Sequence, residues 1–508
     1  MPLTDGAQLP RQSPASVDPH PWLHPFLTDN SITRFRAYSE EIWSYALSYA
    51  ERNGRPRHCA FAVNMAQNMY KWARLAQAAG WSVAVYPHPL DTSALNAPEW
   101  EDYDGACAEV MDGESFLRAN SALVPEVPCR RVPMDGGELL QAYKDVSLHR
   151  GRWLSKLWKR LCLVARAPSV QRHALLTLNG FYPYFRWAEA LSRYDVIYAA
   201  SAPFAAYASG KPFCVCSVGG DLELDCGRTD DLGRAMRLAF HGARFLMISN
   251  PHALGHSRRL GFTNGVYLPY PMDSNRYHPG DGNARAEWEV RYGAGIYALA
   301  TSRLDKAVKG QGESFFDMLV AVTRERPRLR FVFLAWGDSA LEFHRQVESA
   351  GMADRIILLP PVGKKRLIDY YRSCDFVLDH FVYGYYGATA LEAAAIGKPV
   401  IMKLRAEHYA PLYAGDVAPV SNVSSPEEVR QAILAFADNP SMRAEQGRRM
   451  REWLVRNHGE ERTVPLMLAL LRLAADRVRL PRALRNPLCD PLGPEEEAYH
   501  AACAETAA

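Results

Sequence analysis

Arg303 and Lys309, in the stretch IYALATSRLDKAVKGQG, have the residue types needed to hold a diphosphate. Such a group calls for two cations and the free amides of a helix start. Arginine offers a planar fork of donors, and lysine a mobile point charge. A second segment, DFVLDHFVYGYYGATALEAAAIGKPVI from Asp375 to Ile401, supplies the rest of such a site. Gly384 and Gly387 let backbone come close to a ligand. The amides of Gly387, Ala388 and Thr389 open a helix and point at an anion. Glu392, one turn further on, can accept both hydroxyls of a ribose diol. Plainer readings stand beside these: two solvated basic residues on a loop, and a glutamate favoured near a helix N-terminus by the dipole.

The first half offers weaker candidates. CAFAVNM is followed by Asn64 and Asn68, whose amides could bind a sugar or phosphate, or could cap a strand end. CVCSVGGDLELD places Gly219, Gly220 and Asp221 after a buried strand, with Asp221 either a sugar or acceptor ligand or a turn residue. His252 and His256 share one helical face, but no third metal ligand accompanies them, and no metal is expected. The ten cysteines form no CxxC pair and read as buried thiols.

Positioning such residues requires two parallel sheets. Short apolar runs bounded by Gly or Pro alternate with helical stretches: Cys59–Met65, Ser82–Pro87, Asp195–Ser201, Pro212–Val218, Arg244–Asn250 and Val266–Pro271. PMDSNRYHPGDGN, from Pro271 to Asn283, interrupts the rhythm and reads as a linker. A second set follows at Ile296–Arg303, Arg330–Gly337, Arg355–Val362, Phe376–Val382 and Pro399–Leu404. Ligands of such folds bind at the carboxyl ends of the strands, where both motifs lie. Residues 1–30 read as a disordered tail, 31–275 as one domain with an insertion at about 90–170, and 285–455 as a second. Residues 456–480 read as a late helix and 481–508 as a loose tail.

Composition limits the rest. With 508 residues, 48% hydrophobic and 23% charged, the chain can bury a large core without disulfide or metal staples. A net charge of +3 lacks the basic excess of a nucleic-acid binder. There is no secretion signal and no uncharged apolar run of about 18 residues, which predicts a cytoplasmic protein. Between Arg150 and Arg172 lie seven Lys or Arg and no acid. There GRWLSKLWKRLCLVAR sets Trp153, Leu154, Leu157, Trp158 and Leu161 at helical spacing apart from Lys156, Lys159 and Arg160. This reads as a packed helix with a solvated basic face or as a peripheral membrane contact through residues 150–166.

The run from Ala300 to Leu404 resembles the retaining family 4 glycosyltransferases (glycosyl transferases group 1). Three pieces carry the resemblance in order: SRLDKAVKG, the FVFLAWGD strand and turn, and GYYGATALEAAAIGKPVI. The helix around Trp453 to Leu473 is similar to that family's C-terminal crossover helix. The resemblance implies an α/β chain of the GT-B fold: two Rossmann-like domains with parallel sheets facing a central cleft. It implies transfer of a sugar from a nucleotide-diphosphate sugar to a hydroxyl of a glycan, lipid-linked or small-molecule acceptor, with retention, without cofactor or metal. Arg303 and Lys309 match the diphosphate-binding pair, and Glu392 matches the second glutamate of the paired-glutamate motif. The first glutamate falls at Gly384, so the chain departs from the pattern where the family touches the transferred sugar; Tyr385 follows in the same cleft loop. The family often carries a glycine-rich loop near Asn64 and a histidine near Gly219, and this chain has neither. A nucleotide-sugar epimerase or a catalytically silent nucleotide-sugar binder on the same fold are the alternatives. A dehydrogenase is disfavoured because no GxGxxG follows a strand.

Overall fold

The computed structural model describes residues 24–88, 93–132, 152–165, 167–178, 181, 184–201, 203–217, 219–306, 309–310 and 312–506. The expected tail at 1–23, Val218 at the end of one expected strand, residues 133–151 of the expected insertion, and the side chains of Trp153, Leu154 and Lys156 lie outside them.

Six parallel strands form the first sheet: β1 His58–Ala62, β2 Ser82–Tyr86, β3 Val196–Ala200, β4 Phe213–Cys216, β5 Leu246–Ile248 and β6 Gly265–Tyr267, in the order β2-β1-β3-β4-β5-β6. Six more form the second: β7 Ile296–Ala300, β8 Leu329–Leu334, β9 Ile356–Leu359, β10 Phe376–Leu378, β11 Val400–Met402 and β12 Ser421–Asn422, in the order β12-β11-β10-β7-β8-β9. Helices cover both faces, which is why the interior strands are apolar throughout; every residue of β3, β4 and β8 is buried. Cys214 and Cys216 are core residues of β4, as their spacing suggests.

Two chain crossings join the sheets side by side. The segment after β6 brings Met272 against Gly459, its amide donating to the His458 carbonyl at 2.9 Å. Gly459 separates the helix Pro440–His458, which packs on the second sheet's Ala388–Ile396 helix, from the helix Glu460–Ala475, which packs against β3 and β4. The expected late helix is thus two helices, broken where the chain changes sheet. A continuous apolar cluster runs from the first sheet through the second crossing to Tyr386, Tyr409 and Trp453. The halves therefore meet over packed aromatic rings, Tyr267 of the first standing 6.1 Å from Tyr413 of the second.

Where they are described, from residue 24 and from residue 481, both expected tails need correction. Thr28 caps a helix at Asp29–Arg52 that packs along Glu460–Ala475, and Phe26 is buried. After residue 480 the chain does not hang loose. Leu488 is buried, and Arg258 donates to the carbonyls of Leu488, Asp490 and Pro491 and to both oxygens of Glu496. The expected insertion builds a small core of its own from Ala94, Ala97, Trp100, Val110 and Phe116. It also reaches the second sheet: Cys107 donates to the Pro361 carbonyl, and Gly363 to that of Gly105.

Candidate functional site

β7 and β10 are neighbours, so the residues that follow them meet. Thr301 Oγ1 lies 2.9 Å from the Tyr371 hydroxyl and 3.1 Å from Thr389 Oγ1. Ser302 Oγ donates to Asp379 Oδ1 at 2.5 Å and lies 3.2 Å from Thr389 Oγ1. This buried network clamps the start of the Ala388–Ile396 helix, capped by Gly387, onto the two strand ends. Asp379 Oδ2 lies 3.9 Å from where a Cβ on Gly387 would sit and has no hydrogen-bond partner among the described residues. A carboxylate this close already answers part of the positive end of the helix dipole. An anion placed there would need cationic side chains as well as the helix amides.

The loop of Arg303 and Lys309 adjoins the segment that leads into that helix. The Lys309 carbonyl accepts from the Phe381 amide at 2.9 Å, and Gly310 (φ +77°) lies so close that a Cβ would meet Val382 at 2.8 Å. Arg303 is half exposed, with Nη2 3.4 Å from Asp305 Oδ2. Its loop leans on Gly337 of the FVFLAWGD turn, where φ is +103° and a Cβ would fall 2.6 Å from the Leu304 carbonyl. The three motif pieces are thus in contact at one edge of the second sheet.

Glu392 differs from expectation. It is 1% exposed, and its carboxylate is engaged: Oε1 accepts from Lys364 Nζ at 2.6 Å and stands 3.6 Å from Lys71 Nζ, while Oε2 accepts from the Tyr371 hydroxyl at 3.4 Å. A ribose diol can reach it only by replacing one of these partners. Burial alone would raise its pKa, but Lys364 and Lys71 outweigh this and hold it below the ordinary value. Lys364 opens the helix after β9, whereas Lys71 crosses from the Asn68–Ala78 helix of the first half. Neither was singled out in the sequence. Lys71 had a signal, a lysine inside NMYKWARLAQA on the face that also carries buried apolar residues.

The first-half candidates are mostly structural. Asn64 is buried; its Nδ2 donates to Gln67 Oε1 (3.0 Å) and the Asn96 carbonyl (2.9 Å), and its Oδ1 accepts from the Tyr70 amide (2.8 Å). Around it Val63, Ala66 and Gln67 all have positive φ, so the loop turns without the family's glycines. Asn68 accepts from the Tyr270 hydroxyl. Gly219 (φ +109°) and Gly220 open a one-turn helix, Gly220–Glu223. Asp221, expected to meet a sugar or acceptor, is buried in the loop wall: Oδ1 accepts from Ser217 Oγ and the Leu222 amide, Oδ2 from the Ser201 amide.

Two residues on, Glu223 does face the second half. Its Oε1 lies 2.8 Å from His252 Nε2 and also accepts from the Tyr383 hydroxyl. Burial would raise its pKa, but the His252 hydrogen bond and charge dominate and bring it down to about 2. Tyr385 is buried, its ring 4.4 Å from that of His252 and its hydroxyl 3.1 Å from His408 Nδ1. Gly384 has φ +83°, and a Cβ there would come within 2.7 Å of Arg405 Cγ. Among the described residues no three His, Cys, Asp or Glu are grouped to hold a metal ion. No described helix is long and apolar enough to cross a membrane.

Comparison with known proteins agrees with this arrangement. Residues 296–439 match the family described as Glycosyl transferases group 1. D-inositol 3-phosphate glycosyltransferase of Xylanimonas cellulosilytica is 30% identical over 131 residues, 24% of this chain and 30% of that protein. Mannosylfructose-phosphate synthase of Agrobacterium fabrum is 26% identical over 146 residues, 27% of this chain and 32% of that protein. The chain thus spans about a third of the length of these curated relatives. The structure of Anabaena HepE with UDP and glucose superposes with a TM-score of 0.54 at 14% identity, covering 81% of this chain and 98% of that one. Sucrose-phosphate synthase from Thermosynechococcus elongatus gives 0.53 at 15% identity, over 84% and 100%. With its two parallel sheets in contact at their carboxyl ends and a helix returning to the first, the chain has the GT-B fold, and its second half carries the pattern of glycosyl transferases group 1.

Proposed function

We propose that the protein moves a sugar from a nucleotide-diphosphate sugar to an acceptor hydroxyl with retention at the anomeric carbon. The packing of the Arg303–Lys309 loop against Phe381 and Val382, on the segment that leads to the Gly387 helix start, in a stretch matching glycosyl transferases group 1, carries this reading. The two cations and the helix amides hold the diphosphate and stabilise the charge it gains as its bond to the anomeric carbon breaks. The acceptor oxygen bonds to that carbon on the same face, and its proton passes to the departing phosphate oxygen. Neither a cofactor nor a metal is needed for this step. The nucleoside end lies towards Glu392, with Lys364 moving from the carboxylate towards the ligand. The UDP and glucose held by HepE, and the sugar phosphates in the names of the relatives, favour a hexose donor. The test is incubation with UDP-, GDP- and ADP-hexoses and sugar-phosphate acceptors. Nucleoside diphosphate released only with acceptor, and a product of the donor's anomeric configuration, are expected. Release without acceptor, or an inverted product, contradicts the reading.

We also propose peripheral contact with an anionic lipid surface through the helix Arg152–Leu163. Trp158, Leu161 and Val164 are 68%, 53% and 72% exposed along one side, although Lys159 is buried and Arg160 pairs with Asp231. Cosedimentation with phosphatidylglycerol vesicles, reduced in Trp158→Ser, is expected; equal binding by both proteins contradicts it.

A further inference from the structure

The GYYG loop has no room for the carboxylate that Gly384 replaces. The positive φ disfavours any side chain, and Arg405, whose amide donates to the Gly384 carbonyl at 2.9 Å, fills the space a Cβ would need. The residue before it, however, touches a carboxylate of the other half: Tyr383 donates to Glu223. Within three residues, 381 to 383, this loop thus contacts both the Lys309 carbonyl and Glu223. Glu223 follows β4 and His252 follows β5, both at the carboxyl edge of the first sheet. We propose that Glu223 binds hydroxyls of the transferred sugar from the first half, in place of the carboxylate that Gly384 lacks.

The inference rests on the donor site proposed above and adds its sugar end. A carboxylate suits vicinal hydroxyls because it accepts from both at once. Glu223 keeps 16% of its side-chain surface exposed at the cleft. Its Oε1 is held by His252 and Tyr383, and Oε2 takes part in neither contact. The low pKa keeps the group ionised at neutral pH. His252 and Tyr383 are positioning residues that fix the carboxylate. The diphosphate is then gripped by one half and the sugar by the other.

Isothermal titration of the full chain with UDP and UDP-glucose, and with GDP and GDP-mannose, tests this. Glu223→Gln should leave nucleoside diphosphate affinity within about twofold while weakening the matching nucleotide sugar about tenfold or more, the loss expected for a charge-assisted contact. Retained nucleotide binding shows that the variant is folded. Tyr383→Phe, which keeps the carboxylate but frees one tether, should weaken only the nucleotide sugar, by severalfold. Equal loss for both ligands in both variants, or none for the nucleotide sugar, overturns the assignment. A wild-type protein that binds none of the four ligands instead sinks the donor-site reading on which it stands.

Discussion

Lys71 and Lys364 place two ammonium groups on one buried carboxylate, and that asymmetry sets how the three residues respond to change. Glu392→Gln leaves two cations facing each other out of water, which should cost about 3–5 kcal/mol of stability in urea unfolding. The site therefore cannot be probed by this variant without loss of fold stability, contrary to what its polar, helix-start position suggests. Lys71→Met removes one cation whose Nζ makes no hydrogen bond, leaves the Lys364 pair intact, and should be nearly neutral. In the double variant it should recover part of the Glu392→Gln loss. A destabilised Lys71→Met or an additive pair contradicts this ion-pair arrangement. Because the Glu392 pKa is depressed, its contribution is present above the ordinary 4.5 and disappears as pH falls below it. Arg303, Lys309 and Glu392 stood out in the sequence as candidates because each lies in an ordered motif, but the burial of Glu392 against Lys364 and Lys71 did not. Lys71 and Glu223 were not legible there, because their contacts lie in the opposite half, and Lys364 was not, because its partner Glu392 comes 28 residues later.

Among the elements, the crossing at Gly459 is sensitive to acid. His458 ends the helix before it, its Nδ1 2.9 Å from the Tyr270 carbonyl and its Nε2 2.8 Å from the Tyr413 hydroxyl. Burial lowers its pKa from 6.5 to about 4. The native state thus binds fewer protons than the unfolded chain, so stability is full above pH 6.5 and falls as pH drops towards 4. A shift of that size corresponds to about 3 kcal/mol. Urea midpoints from pH 7 to 4.5 should fall more steeply in the wild type than in His458→Gln; parallel curves contradict the assignment. At the other end of the first half, Arg258→Met strands Glu496 and three carbonyls, and should cost about 3 kcal/mol. It should also open Arg479, Arg482 and Arg485 to trypsin, whereas an uncleaved variant would show that Leu488 and the Asn486 hydrogen bonds to Thr263 and Gly265 hold the segment without it. The strands were readable because parallel sheets leave apolar runs. The break at Gly459 was hidden inside a helical pattern, and the closing segment was hidden because Pro- and Ala-rich composition says nothing about an arginine some 230 residues earlier.

At the scale of the molecule, two sheets meet at their carboxyl ends, and several of the contacts that join them frame the candidate site. Lys71 reaches Glu392, Glu223 reaches Tyr383, and Asn250 accepts from Tyr409 at 2.7 Å, all from loops or helix starts of opposite halves. Arg303 and Lys309 stand apart from these contacts, and neither belongs to an apolar cluster, although Leu304 of their loop does. They can therefore be changed with a stability effect within about 0.5 kcal/mol. The most direct test of the donor site is titration of UDP, GDP and ADP into the wild type and into the Arg303→Ala, Lys309→Ala double variant. Each charge-assisted contact is worth about 1.5–3 kcal/mol, so the nucleotide that binds the wild type should bind the variant at least about a hundredfold more weakly, with the unfolding midpoint unchanged. Equal affinity in the two proteins would contradict the placement of the diphosphate on this loop.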